Sequence, residues 1–119
     1  MSASTSDWRS FRLDQSSAEG DLQQLGKAKA ALDVRVALSQ DPARLETLSW
    51  ALPGLYVDAS KQRWDSEVVD ALLQLAEEAR VPQAIADQFG GAPINHTEGR
   101  AVMHMALRGQ ASDAYEVDG

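Results

Sequence analysis

Three basic side chains, Arg100, His104 and Arg108, fall four residues apart within the stretch Ile94-Asn95-His96-Thr97-Glu98-Gly99-Arg100-Ala101-Val102-Met103-His104-Met105-Ala106-Leu107-Arg108. On a helix that spacing stacks them on one stripe. A histidine exchanges protons near neutrality, and guanidinium groups hold anionic oxygens through charge-assisted hydrogen bonds. One use of such a seam is to line a cleft that takes an anion or a sugar. The other use is purely structural: the arginines bond buried acids or carbonyls, and His104 finds a single partner, because buried polar groups need partners whether or not they do chemistry. No carboxylate or nucleophile stands beside His104 in the sequence, so no catalytic residue is assigned. His96, the only other histidine, lies ahead of the expected helix. Two histidines without a carboxylate at ligand spacing make a poor metal site, and none is expected. Met103 and Met105 read as core filler.

The elements that must position this stripe are mainly helical. Thr97 can cap a helix that follows it, and Glu98 then sits where the helix dipole favours negative charge. The helix predicted from Thr97 to Arg108 is apolar on nearly every other face, which calls for burial. Upstream, Leu22, Leu25, Ala28, Leu32 and Val36 recur at helical spacing from Asp21 onward. Asp41-Pro42 opens a helix whose Leu45, Leu48 and Leu52 share a face, ended by Pro53-Gly54. Leu55–Asp58 reads as a short strand. Asp65 or Ser66 caps a helix running to Arg80, with Val69, Leu72, Leu73 and Ala76 as its buried stripe and Glu77 and Glu78 facing water. A short helix from Gln83 to Phe89 stops at Gly90-Gly91. Trp8 and Phe11 begin a first helix, and residues 1–7, small and polar, are expected to be disordered. The fold class is thus mainly α with one or two short strands.

The chain has 119 residues, 44% of them hydrophobic, which allows one small domain and argues against disorder throughout. Its net charge of −7 repels phosphate backbones and anionic lipid, so neither nucleic acid nor membrane is expected as a partner. No cysteine is present, which excludes disulfides and thiolate metal sites. The opening MSASTSDWRS lacks the pattern of a secretory signal. No dinucleotide fingerprint, P-loop, H-E-x-x-H or G-x-S-x-G motif occurs.

Several segments resemble the N-terminal part of the glucose-6-phosphate isomerase family, in order. Asp41-Pro42-Ala43-Arg44 is similar to an early helix of the family. Leu55-Tyr56-Val57-Asp58-Ala59-Ser60-Lys61-Gln62-Arg63 resembles its apolar-Asp-x-Ser-Lys-Asn segment, with Gln62 for the usual Asn. The run from Ile94 to Arg108 is the most specific match, and Val117-Asp118-Gly119 resembles the Val-Asp-Gly that follows. Gly91-Ala92-Pro93 departs from the usual Gly-Glu-Lys, and Gly109-Gln110 from the usual Asn-Arg.

The resemblance implies a helical flank of a fold with two α/β sugar-isomerase (SIS-like) domains. Residues 8–90 would form the helical region and 91–119 the lead-in to the first such domain, together a single incomplete domain. The family interconverts glucose 6-phosphate and fructose 6-phosphate in glycolysis and gluconeogenesis, in the cytoplasm and with no metal or organic cofactor. Its catalytic glutamate, histidine and lysine and its phosphate loop map onto no residue of this chain. Arg100 and His104, with Thr97 and Glu98, are then expected to support the substrate site from beneath, orienting other side chains. Alone, the chain is expected to be inactive. Its implied partners are the remainder of the enzyme or a second copy, with sugar phosphate bound only by the complete enzyme. The alternative is a stand-alone helical interaction module derived from that enzyme.

Overall fold

The computed structural model describes residues 8–117. Residues 1–7 and the Asp118-Gly119 of the last matched motif lie outside the described residues. The architecture is mainly helical with one two-stranded antiparallel sheet. Two compact units are present: Leu13–Leu75 forms one, and the described residues of the other are 8–12 and 76–117.

The first unit holds most of the core. After a 3-10 turn at Leu13–Gln15, Ser16 accepts a hydrogen bond from the Glu19 N–H (3.1 Å) and starts α1 (Ser17–Ala28). This is the Ser-x-x-Glu signature of a helix start. The long helix expected from Asp21 through Val36 is in fact two. Asp33 is the reason: its carboxylate accepts from the N–H groups of Arg35 (2.8 Å) and Val36 (3.4 Å) and so begins α2 (Val34–Gln40). A short polar side chain that bonds its own backbone favours a new start over continuation.

Asp41 closes α2 and accepts from the Ala43 N–H (3.1 Å), after which α3 is a single turn, Arg44–Thr47. The expected three-leucine face does not form, because Leu52 belongs to a strand. Strands β1 (Ser49–Leu52) and β2 (Leu55–Asp58) pair in the register Ser49↔Asp58 to Leu52↔Leu55. Pro53-Gly54 turns them, with Gly54 at φ 75°. Proline then glycine in that conformation is the sequence signature of a type II turn.

Helix α4 (Ser66–Glu78) starts where Asp65 accepts from the Val68 N–H (3.2 Å), as its sequence indicates. Its buried stripe is Val68 and Ala71 rather than Val69, Leu73 and Ala76; Leu72 and Leu75 are half-buried and Leu73 is exposed. The helix carries adjacent apolar pairs, Val68-Val69 and Leu72-Leu73, so two stripes one residue apart satisfy the same periodicity. The small Ala71 permits close approach on the face that won. Glu77 is exposed and Glu78 half-buried.

In the second unit Arg80 takes a left-handed conformation (φ 55°), and α5 (Val81–Phe89) follows with Pro82 in its first turn. Proline suits that position because its missing N–H is not needed there. The expected first helix is only a 3-10 turn, Trp8–Ser10, held to α5 by Trp8 Nε1 donating to Asp87 (2.7 Å). The indole N–H, then the Gln83 amide (2.8 Å), stabilise the Asp87 carboxylate and lower its pKa. Arg9 lies over the Trp8 ring, 4.6 Å from its centroid. No helix of the described residues is long and apolar enough to cross a membrane.

Candidate functional site

Two segments carry the residues that the sequence singles out. In the first unit, the turn that follows β2 is pinned from several directions. Asp58 accepts from the Ser60 N–H (2.8 Å) and from Lys61 Nζ (3.0 Å). Ala59 donates to the Leu48 carbonyl (2.9 Å), and Gln62 to the Ala59 carbonyl (2.9 Å). Beneath the turn runs Arg44, only 5% exposed, whose Nε donates to the Ser60 carbonyl (2.8 Å) and whose terminal nitrogen donates to the Gln62 carbonyl (2.7 Å). A buried guanidinium satisfied by carbonyl oxygens fixes loop backbone tightly, because its planar fork loses little freedom per bond formed. Hydrogen bonding from the Ser60 side chain, then the Lys61 ammonium, then the Ser60 N–H, brings the Asp58 carboxyl down to about 2.

Neither Arg44 nor Asp58 was singled out as a positioning residue by sequence reasoning. The signal for Arg44 was available: it stands four residues before Leu48, one of the most deeply buried side chains, so the two share a face of the turn. Nearby, Lys29 is paired with Asp65 and with Glu67 (2.8 Å). Those hydrogen bonds, Asp65 first, raise the Lys29 pKa. Burial acts to raise the Asp65 carboxyl, but bonds from Lys29 and the Val68 N–H outweigh it and lower the group.

In the second unit, the segment expected to be a helix from Thr97 to Arg108 is not one. Asn95 and Arg100 bond each other's backbone in both directions (3.0 and 3.2 Å), closing a loop of the residues between them. The Asn95 side chain fills that loop, accepting from Thr97 Oγ1 (2.7 Å) and the Glu98 N–H (3.3 Å) and donating to the Glu98 carboxylate (3.3 Å). Thr97 is therefore a donor within the loop and not a helix cap. Gly99, at φ 64°, turns the backbone left-handed and ends any helical continuation.

Helical residues resume only as a five-residue 3-10 helix, His104–Arg108. The stripe of cations is thus not assembled: Arg100 sits in the backbone bridge, and residues four apart do not align in 3-10 geometry. Leu107 is 87% exposed. A helix apolar nearly all round needs neighbours on every side, and most helical stability comes from such packing. Among the described residues nothing covers Leu107.

Arg100 faces a hollow of about 300 Å³, lined also by Gly91, Pro93, Met103 and Val117. His96, His104 and Arg108 are exposed, and the side chains of Arg100, His104 and Arg108 have no hydrogen-bond or ion-pair partner among the described residues. Gly91 is buried with φ 76°, and a β-carbon there would lie 2.2 Å from the Glu116 carbonyl oxygen. Only glycine lets residues 116 and 117 cross at that distance. Among the described residues no His, Asp and Glu converge as metal ligands would.

A protein-family model described as "Phosphoglucose isomerase" matches residues 58–119, from the pinned Asp58 through the whole signature. The chain belongs to the phosphoglucose isomerase family. Its similarity extends further in individual relatives. It is 42% identical over 82% of its length to glucose-6-phosphate isomerase 1 of Colwellia psychrerythraea, covering 18% of that protein. It is 46% identical over 66% of its length to the glucose-6-phosphate isomerase of Hahella chejuensis, covering 14%. The corresponding figures for the enzyme of a Caulobacter strain are 47%, 73% and 16%. The chain therefore spans less than a fifth of the length of these curated relatives.

Proposed function

We propose that this chain supplies the N-terminal segment of a glucose-6-phosphate isomerase. The reaction is the aldose–ketose interconversion of glucose 6-phosphate and fructose 6-phosphate in carbohydrate metabolism, in the cytoplasm and without metal or organic cofactor. The supporting observation is the family match over residues 58–119, joined to relatives 42–47% identical that are named for this activity. In this reading the segment is the helical flank of a two-domain sugar-isomerase (SIS-like) fold and is inactive alone. Arg100 and His104, with Thr97 and Glu98, lie beneath the sugar-phosphate site and orient groups contributed by the remaining polypeptide. A positioned base and nearby positive charge are what an enediolate intermediate requires. In the complete enzyme Arg100 and His104 would supply support of this kind, and the proton-transfer groups come from elsewhere.

A second reading, a stand-alone helical interaction module, draws its support from the large apolar side chains left exposed on the hairpin. A coupled assay separates the two. The purified chain is expected to show no turnover of fructose 6-phosphate, and joining it to the remaining polypeptide of the Colwellia relative is expected to give turnover. Activity of the chain alone above a mock preparation, or none in the joined protein, overturns the proposal.

A further inference from the structure

The hairpin has two unlike faces. Directly paired residues share a face, and successive residues alternate. Trp50 pairs with Val57 and Leu52 with Leu55, so one face is Trp50, Leu52, Leu55 and Val57. The other is Ser49, Ala51, Tyr56 and Asp58. Every member of the first set is apolar, and all four are open to solvent: 39%, 57%, 56% and 38% exposed. An alternating pattern that places four large apolar side chains together is the pattern of a half-buried strand pair. A lone two-stranded hairpin is barely stable in water and needs a layer against one face. Within its own unit no member of this face is buried.

We propose that the Trp50-Leu52-Leu55-Val57 face docks onto the remaining isomerase polypeptide, meeting an apolar patch there and forming part of the interface that completes the fold. This rests on the isomerase reading above. What selects this occupant is length: the relatives carry more than four-fifths of their polypeptide outside the aligned stretch. The face carries no charge that would recognise an acidic or basic partner. Its charged neighbours at the hairpin's open end are engaged, because Asp58 is bonded by Ser60 and Lys61.

The test is co-expression of the full chain with the remaining polypeptide of the Colwellia relative, followed by copurification and the isomerase assay. The double variant Leu52→Glu/Leu55→Lys replaces the two most exposed members of the apolar face and leaves an opposite-charge pair directly across the register, which the hairpin tolerates. Ala51→Lys/Tyr56→Glu makes the equivalent change on the other face. The unsubstituted chain and the Ala51/Tyr56 variant are expected to recover complex in similar yield, and the Leu52/Leu55 variant roughly tenfold less, as for loss of an apolar anchor cluster. Equal recovery of both variants, equal loss of both, or no complex with the unsubstituted chain overturns the proposal. So does self-association of the chain that the Leu52/Leu55 variant abolishes while complex recovery is unaffected. Complex that is face-selective but without turnover would overturn the isomerase reading and leave the docking face standing. Turnover with no face selectivity would do the reverse.

Discussion

The turn at 58–62 and the loop at 95–100 are both family-matched, both tight and both held by a side chain bonding nearby backbone. They differ in what lies under them. Beneath the first runs a buried guanidinium that spends two hydrogen bonds on carbonyls of the turn, with Leu48, Ala59 and Ser60 packed alongside. Beneath the second there is little: among the described residues of its unit only Gly91 is buried. Local hydrogen bonds give both segments a shape, but only the first is anchored to a core. Side chains held by packing keep a fixed geometry, and those held by local turns do not. In this chain the turn after β2 is thus anchored to buried side chains, and the basic segment is held by local bonds alone.

The largest test of that contrast is Arg44→Ala. It leaves the buried Ser60 carbonyl and the part-buried Gln62 carbonyl without their donor and removes a buried side chain, so a loss of about 2–4 kcal/mol is expected. Denaturant unfolding measures it; a loss below about 0.5 kcal/mol, the range of an ordinary surface substitution, would mean that the turn is not anchored through Arg44. Arg44→Lys should recover little, since an ammonium cannot reproduce the two-point fork. Next in size is Gly91→Ala. A β-carbon 2.2 Å from the Glu116 carbonyl, on a backbone with φ 76°, must displace residues 116 and 117. About 1–3 kcal/mol of local destabilisation follows from the strained conformation. Hydrogen exchange should show it in the second unit, with protection across 58–62 unchanged. Loss of protection in both would show that the two regions are not independent in stability.

A gentler probe is acid. Asp58 is held at about 2 in the folded chain against an ordinary value of 3.8. Its folded value is the lower one, so its stabilising effect is fully present above pH 3.8 and is lost as pH falls through that value toward 2. The Asp58→Asn variant should therefore differ from the unsubstituted chain at pH 6 and converge with it near pH 2. Thermal melts across that window decide it. A constant difference at all pH values would assign the effect to shape and not to charge.

How far these regions could be read beforehand follows from the same physics. Asp65 as a cap, the strand at Leu55–Asp58 and the short helix ending at Gly90 are local signals, written in side chains that bond their own backbone or cannot continue an element. The sequence pattern places the buried stripe of α4 on Val69, Leu72, Leu73 and Ala76 instead of Val68 and Ala71, because adjacent apolar pairs fit two stripes equally. The partner of Leu52 was missed because Leu45, Leu48 and Leu52 also satisfy a helical period, and only pairing across Pro53-Gly54 distinguishes the two. The largest miss, the helix from Thr97 to Arg108, has the most informative cause. Its periodicity describes a segment surrounded by neighbours. Without them, the local chemistry of Asn95 and Gly99 prevails, and a 3-10 turn is all that remains. Composition and spacing describe a segment apolar on nearly every face, the kind that calls for burial. They carry no information about whether the burying surface is at hand.

The smallest expected effect is the sharpest test of that last point. Arg100→Ala and His104→Ala should each change the stability of the isolated chain by no more than about 0.5 kcal/mol, since both side chains are exposed and without partners among the described residues. In the joined isomerase the same substitutions should lower turnover, because there the two side chains would be packed beneath the substrate site. A silent change in the piece and a costly change in the whole is the signature of a residue whose role is created by assembly. If either substitution unfolds the isolated chain, the basic segment already has a structural job there. If neither alters turnover in the joined protein, the segment's similarity to the family records how the chain packs and nothing about the chemistry that it serves.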